Sequence, residues 1–349
     1  MSAGDQANLG YSSYLAVGRE ATFKTFVTCT ANLDFISASL KTIQEQKVIE
    51  AVSCARTHTD RISLSKVVQG DIEFYFGADH DASNHLLQNA MGGGTVTSAT
   101  AVGDTAGTSA WEHTLDLNNF TDTYSSLSIN HRKGDTTNGK VFGYQGGRVN
   151  EMSFSAEIDE ALKSNASMVF VDSSVGATDV EALLTCTGQN PLSFADMRLS
   201  VESTFASLTA SAFWHVQSAE FSINNQLKSD SASRRIGSNL LDVLPAGIAL
   251  FSFNFVMRFD TLTAYNAMLN ETQLSAQLSY QGSTLTGSSL KEELRFDMPK
   301  IFISDAGDPA IGGPDEVLSA NIVASVLRDS TSATGYAVKA IVRNETSSY

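Results

Sequence analysis

Three short clusters hold the residue types that could do chemistry. Gly134-Asp-Thr-Thr-Asn-Gly139-Lys140 has nearly the spacing of a phosphate-cradling loop, in which backbone N–H groups and a lysine hold phosphate oxygens. Val141 stands where a Ser or Thr hydroxyl would hold magnesium. The flanks SLSINHRK and VFGYQGG both read as strands, whereas a phosphate cradle needs a helix N-terminus facing the anion. The segment is therefore predicted as a hairpin turn. Asp79-His80-Asp81 with His85 is the second cluster. On a helix, His80 and His85 point too far apart to converge on one ion, and acidic residues at a helix start are explained by capping and the helix dipole. The third set is Ser, His and Asp, but no G-x-S-x-G elbow presents a nucleophile. Cys29, Cys54 and Cys186 form no C-x-x-C pair and read as reduced structural thiols. Six histidines are scattered. No catalytic residue, cofactor site or metal site is predicted, and the chain reads as a non-enzyme.

The composition points the same way. Only 17% of the 349 residues are charged, below the usual ~25%, while 42% are hydrophobic. Such a chain can bury a large core and hide further surface against copies of itself. The net charge of −15 gives no basic footprint for phosphates. The start MSAGDQANLG lacks a basic segment followed by an apolar run, and no stretch reaches the ~18 apolar residues of a membrane span. Neither a signal peptide nor membrane insertion is predicted.

Strand patterning dominates the elements that would carry these residues. Ile72, Phe74 and Phe76 alternate with Asp71, Glu73 and Tyr75, and Phe251, Phe253, Phe255, Met257 and Phe259 alternate with polar neighbours. Only Arg258 is basic near the second run, so core packing accounts for these aromatics better than base stacking does. Further strand-like runs are 125–132, 148–157, 166–172, 198–209, 211–224, 275–281, 293–303 and 319–327. Two helices are predicted. One runs from Asp81 to Met91, capped by Asp81, with Leu86, Leu87, Ala90 and Met91 as its apolar stripe and Gly92 at its end. The other runs from Asp260 to about Leu269, capped by Asp260, with Leu262, Tyr265, Met268 and Leu269 on one side.

The helices expose an internal repeat. Gly70 opens one alternating strand before a helix and Gly247 opens another, about half the chain apart. A long segment with a pair of arginines precedes each: Arg56 and Arg61, then Arg234 and Arg235. The expected organisation is one domain over 1–175, a linker over 176–190 and a second domain of the same type over 191–349. The small-residue stretch 92–110 and the turn-rich 304–316 are expected to be long loops.

In this frame an ordered set of motifs resembles the tail tube, or major tail, proteins of long-tailed bacteriophages of the siphovirus type. The opening Val17-Gly18-Arg19-Glu20-Ala21-Thr22 resembles the family's G-R/K-E-S/A-T start, although loop 92–110 is longer than the family's usual one. Gly70-Asp71-Ile72-Glu73-Phe74 resembles its G-x-I-x-hydrophobic strand. Tyr144-Gln-Gly-Gly-Arg148-Val149-Asn150, then Ile223-Asn224-Asn225-Gln226-Leu227, then Met298-Pro299-Lys300 resemble three further motifs, and the set spans about 14–345.

The resemblance implies a mainly β fold of two tandem tail-tube-type β-sandwich domains. Each would carry one flanking α-helix and a long β-hairpin arm, at 40–69 and 220–246, lining an inner β-barrel. It implies a virion protein, made in the bacterial host cytoplasm, whose copies stack as rings into a tube. Three two-domain copies would make a pseudo-hexamer; six copies with the second domain outside is the alternative. Implied partners are the tape measure protein in the lumen, the tail terminator and distal tail proteins at the ends, and genomic DNA in transit. The acidic charge predicts an acidic or neutral inner wall. Competing readings are a capsid decoration or tail sheath component, and a carbohydrate-binding tail adhesin module.

Overall fold

Alternating apolar residues produce long antiparallel strands here, because each strand buries one face and can pair on both edges. The computed structural model describes residues 9–50, 57–58, 60–92, 94–98, 110–117, 126–135, 139–184, 190–208, 213–259, 261–307, 317–330 and 335–347. In chain order the first half contains β1 (Tyr14–Glu20), β2 (Ala31–Leu33), β3 (Phe35–Ala38), β4 (Lys41–Val48), β5 (Arg61–Tyr75), helix α1 (Asp81–Met91), β6 (Gly94–Ser98), β7 (Trp111–Asp116), β8 (Ser126–Lys133), β9 (Lys140–Glu157), β10 (Lys163–Phe170) and β11 (Asp172–Val175). The second half contains β12 (Met197–Glu202), β13 (Val216–Asn224), β14 (Leu250–Arg258), helix α2 (Thr263–Leu269), β15 (Leu274–Thr284), β16 (Lys291–Asp305), β17 (Ser319–Val326) and β18 (Lys339–Asn344).

The same pairing order occurs twice. In the first half β1 pairs with β8, β8 with β9, β9 with β10, β10 with β5, and β5 with β3. In the second, β12 pairs with β15, β15 with β16, β16 with β17, β17 with β14, and β14 with β13. A helix follows β5 and β14 alike. The long strands β9 and β16 also pair with β11 and β18 respectively.

The irregularities recur too. The β8–β9 ladder shifts register between Leu127 and Ile129, and the β15–β16 ladder between Leu274 and Ala276. Asn150 is the extra residue where β9 faces β10, and Ser304 where β16 faces β17. Ile36 is the extra residue in β3, and Gln217 in β13. A bulge re-aims and twists the strand at a fixed position, so three bulges at matching places give both halves the same bends.

The main core spans both halves. Phe76, Phe154, Phe221, Phe253 and Phe296 are fully buried. Phe296 of the second half stacks obliquely on Phe154 of the first at 5.0 Å and on Phe221 at 4.6 Å. Two ladders also cross between halves: β13 runs beside β9, and β18 runs beside β7.

Several expectations need correcting. Gly70 lies inside β5, which begins at Arg61, and Gly247 lies before β14, so neither glycine opens its strand. Nor do these glycines occupy equivalent points of the recurring strand order: Ser37 and Ser218, just past matching bulges, face Glu73 and Val256. α1 has the expected bounds and buries Leu86, Leu87, Ala90 and Met91, but His80 occupies the cap position and Asp81 the first turn. α2 begins only at Thr263, with Leu262 at its cap; Asp260 lies outside the described residues. Its buried side is Ala264 and Ala267, while Leu262 and Leu269 are exposed. The run 198–209 stops as a strand at Glu202, and 211–224 starts as one at Val216.

The stretch 92–110 contains β6, paired with β7. Thr95, Val96 and Thr97 are β-branched and favour extended backbone. Residues 93, 99–109 and 308–316 lie outside the described residues. The strand Lys339–Asn344 had no place in the sequence pattern, because Ile341 as well as Val342 is buried and the alternation is lost.

Candidate functional site

The motif residues converge on the ladder between the two halves. Along it Glu157 to Glu151 of β9 face Ser218 to Asn224 of β13, with Phe154 opposite Phe221 and Met152 opposite Ile223. The bulge at Asn150 frees polar groups that a regular strand would spend on its neighbour. The Asn150 carbonyl accepts from the Asn225 N–H at 2.7 Å, and its Oδ1 accepts from the Leu227 N–H at 2.9 Å. Asn225 is buried and donates through Nδ2 to the carbonyls of Ala90 at 2.9 Å and Val149 at 3.1 Å. Ala90 is in the last turn of α1, where carbonyls lack intrahelical partners. One asparagine from the second half thus satisfies one terminal carbonyl of the first half's helix. Asn224 Nδ2 donates to Glu151 Oε2 at 3.1 Å. The Gly247 N–H donates to the Asn225 carbonyl at 2.9 Å, and a Cβ there would come within 2.9 Å of the Gln226 carbonyl oxygen.

The arms differ from each other. β4 and β5 form the expected first hairpin, from Lys41 opposite Gln69 to Val48 opposite Arg61. Ile43, Val48, Ile62 and Leu64 on it are exposed. The second arm is not a long hairpin: between β13 and β14 there are only a short turn at Ser231–Ser233 and one bridge, Arg234 to Leu241. Ser, Asp, Gly and Pro in LKSDSASRRIGSNLLDVLPAG leave no β-branched run to propagate a ladder.

This irregular arm lies against the base of the first hairpin. The Lys66 N–H donates to the Asn239 carbonyl at 2.9 Å, and Arg234 Nη2 donates to the Lys66 carbonyl at 3.2 Å. Arg148 Nη1 donates to the Leu244 carbonyl at 2.6 Å, with its guanidinium 5.1 Å from the Phe23 ring centre. Asp242 lies 3.2 Å from Lys24 Nζ and 3.6 Å from Arg235 Nε. Arg61 donates to Gln46 within its own hairpin, and Arg56 lies outside the described residues. Of the described arm arginines, Arg61 bonds within its own hairpin while Arg234 and Arg235 reach Lys66 and Asp242.

The remaining motif residues build the frame. Glu20 is buried and accepts from the Ser126 and Ser128 hydroxyls at 2.5 and 2.7 Å, and from the Gly146 and Lys24 N–H groups at 2.8 and 3.1 Å. Gly18 is buried beside Val27 and Cys29, and Arg19 is exposed. At Gly70 a Cβ would lie 2.7 Å from both Leu40 Cα and the Ser39 carbonyl oxygen, so the hairpin can cross only at glycine. The buried Tyr144 hydroxyl donates to the Leu40 carbonyl at 3.3 Å, and burial pushes its pKa up to about 12. Pro299 sits in the β15–β16 bulge, where its missing N–H costs no ladder bond.

β8 and β9 pair with Lys133 opposite Lys140, and the Gly139 N–H donates to the Asp135 carbonyl at 2.9 Å; residues 136–138 lie outside the described residues. Burial lowers the pKa of His80 and of His85. Among the described residues no three His, Cys, Asp or Glu side chains gather to hold a metal ion. Cys29 is buried and its thiol is pushed up to about 12 by burial; Cys54 and Cys186 lie outside the described residues. Composition did not single out Arg132, whose guanidinium binds Asp179 at 3.2 Å and Glu181 at 2.6 Å and fastens the expected linker to the first half.

No curated protein matches the chain. The model of one family, described as phage tail tube protein, matches residues 10–326. That span takes in every motif just placed, most of both halves and the seam between them, and the chain belongs to the phage tail tube protein family.

Proposed function

We propose that this structural tail tube protein is a two-unit subunit, three copies of which close a ring of six similar units. The rings stack into the tube. Continuous pairing of β9 with β13 carries this reading: the second unit extends the first unit's sheet sideways, as a ring neighbour would. A unit hung outside the tube needs neither that shared edge nor an arm against the first hairpin. The lumen passes DNA, and before that holds the tape measure protein; terminator and distal proteins cap the ends. Cryo-microscopy of assembled tubes tests the reading. Threefold symmetry approximating sixfold is expected, with both units at the same radius. True sixfold symmetry, with the second unit outside, refutes it.

The seam also favours a structural over an adhesin role, because its polar groups are spent on holding two sheets together. A family of tail tube proteins suggests no catalytic work.

A further inference from the structure

We infer that the ladder between β9 and β13 is repeated between copies: the open edge at the end of β16, at Asp305, receives the outer edge of β4 at Lys41–Ile43 of a second copy. This rests on the ring reading above and specifies its contact. Past the Asn150 bulge, β9 has β10 on one edge and β13 on the other. Past the Ser304 bulge, β16 has β17 on one edge, and among the described residues no strand pairs on the other. The missing neighbour would be the counterpart of β13. Within each chain that counterpart is β3 and β4, which among the described residues pair with β5 and with no other strand. Each copy therefore offers one donor edge and one acceptor edge, a head-to-tail contact that forms a ring when the rotation closes.

The register follows from the matching bulges. Glu151, the first residue past the Asn150 bulge, faces Ser167, and Asp305 past the Ser304 bulge faces Val323. Glu151 also faces Asn224. Counting from Ser218 to Asn224, and equally from Ser37, reaches Ile43, so Ile43 of one copy faces Asp305 of the next. Lys41, two residues before Ile43, is then the diagonal neighbour of Asp305, a favourable pairing of two exposed charges.

The arms supply a second observation. Lys66 of β5 meets the second arm through Asn239. Counting back from Glu73 and Val256 places Ala249 where Lys66 stands. Its neighbours Ile248 and Leu250 are 81% and 53% exposed, apolar surface at the place where the first unit has its neighbour. The next copy's first hairpin, with exposed Ile62 and Leu64, would cover them.

Directly opposite residues in an antiparallel pair lie roughly 4.5–5.5 Å apart at Cα, within disulfide reach. The test is Ile43→Cys with Asp305→Cys in a chain carrying Cys54→Ser and Cys186→Ser, assembled and then oxidised. Linked dimers and trimers are expected on a non-reducing gel, with nothing larger. The matching pair Glu151→Cys with Asn224→Cys should link within a single chain. Failure of that pair overturns the template. Threefold tubes without linked copies overturn the seam but leave the ring; sixfold rings overturn the ring itself. Links confined to one chain, or ladders beyond the trimer, refute the seam or its closure. A charge exchange needs no cysteines: Lys41→Glu should lower tube yield several-fold at low salt, and adding Asp305→Lys should restore it. A yield that Lys41→Glu leaves unchanged, or that the second substitution does not restore, overturns the proposed register.

Discussion

At the residue scale, a few buried polar groups and close-approach glycines decide the local geometry. Glu20 receives four donors, two of them backbone N–H groups that cannot reverse their polarity. Glu20→Gln turns one acceptor oxygen into a donor facing other donors. The Ser126 hydroxyl can rotate, but the N–H groups cannot. A loss of about 1–3 kcal/mol is expected, read as a lower midpoint in denaturant unfolding with an unchanged slope. Gly70→Ala tests a steric constraint instead. Its new methyl would meet the backbone at Ser39 and Leu40, which cannot rotate away. A cost of about 1–3 kcal/mol is expected, with faster amide exchange at the hairpin base; wild-type exchange there would refute the assignment.

At the element scale, the segment after β11 is fastened by charge. Arg132 is 5% exposed, while Asp179 and Glu181 are 42% and 49% exposed. Hydrogen bonds from Arg132 hold the Glu181 carboxyl below its ordinary value. At Asp179 burial pushes upward, but bonds from the Glu181 N–H, the Tyr14 hydroxyl and Arg132 outweigh it and the pKa is lowered. A depressed carboxyl pKa contributes stability above its unfolded value and loses it as pH falls through the folded one. Solvent screening keeps the effect small. The Val180 N–H, held by the Tyr14 hydroxyl at 3.0 Å, reports it. Its exchange protection should fall on acidification below about pH 4 and should be low at neutral pH in Arg132→Ala. Equal protection at both pH values in the wild type contradicts the clasp.

At the scale of the whole molecule, the doubled strand order and the shared edge are what the proposed ring rests on. Sheet edges invite further pairing, and a closed ring satisfies them without open-ended growth. The net charge of −15 bears on what such a ring can carry. Each phosphate neutralised by Lys or Arg adds salt-dependent affinity, which would hinder sliding DNA. Assembled tubes are expected to bind short duplexes weakly, with little change as salt is lowered. A steep salt dependence, or a continuous Lys and Arg track along the lumen of a tube map, refutes an acidic or neutral wall.

The sequence by itself determined the strand-rich class, α1 and the family. Alternation at Ile72, Phe74 and Phe76 needs only one buried face, and the stripe of α1 needs only helical spacing. It also carried the motif residues Arg148, Asn150, Asn224, Asn225 and Gly247, though not the reason they matter. Only the tertiary structure decided that they meet, because alternation states which face is buried and not which strand lies alongside. Phe154 opposite Phe221 is a choice among many compatible partners, fixed by the Asn150 bulge and the aromatic cluster around Phe296. The second arm was misjudged for a related reason. Its length resembled the first, but its turn-forming residues find partners at Lys66 and Asn225 in place of a ladder of their own. The repeat was visible as two strand–helix successions, yet the glycines marking it were displaced. Gly70 answers a crossing by Leu40 and Gly247 a contact with Gln226, and close contacts between distant segments exist only after the sheet has formed.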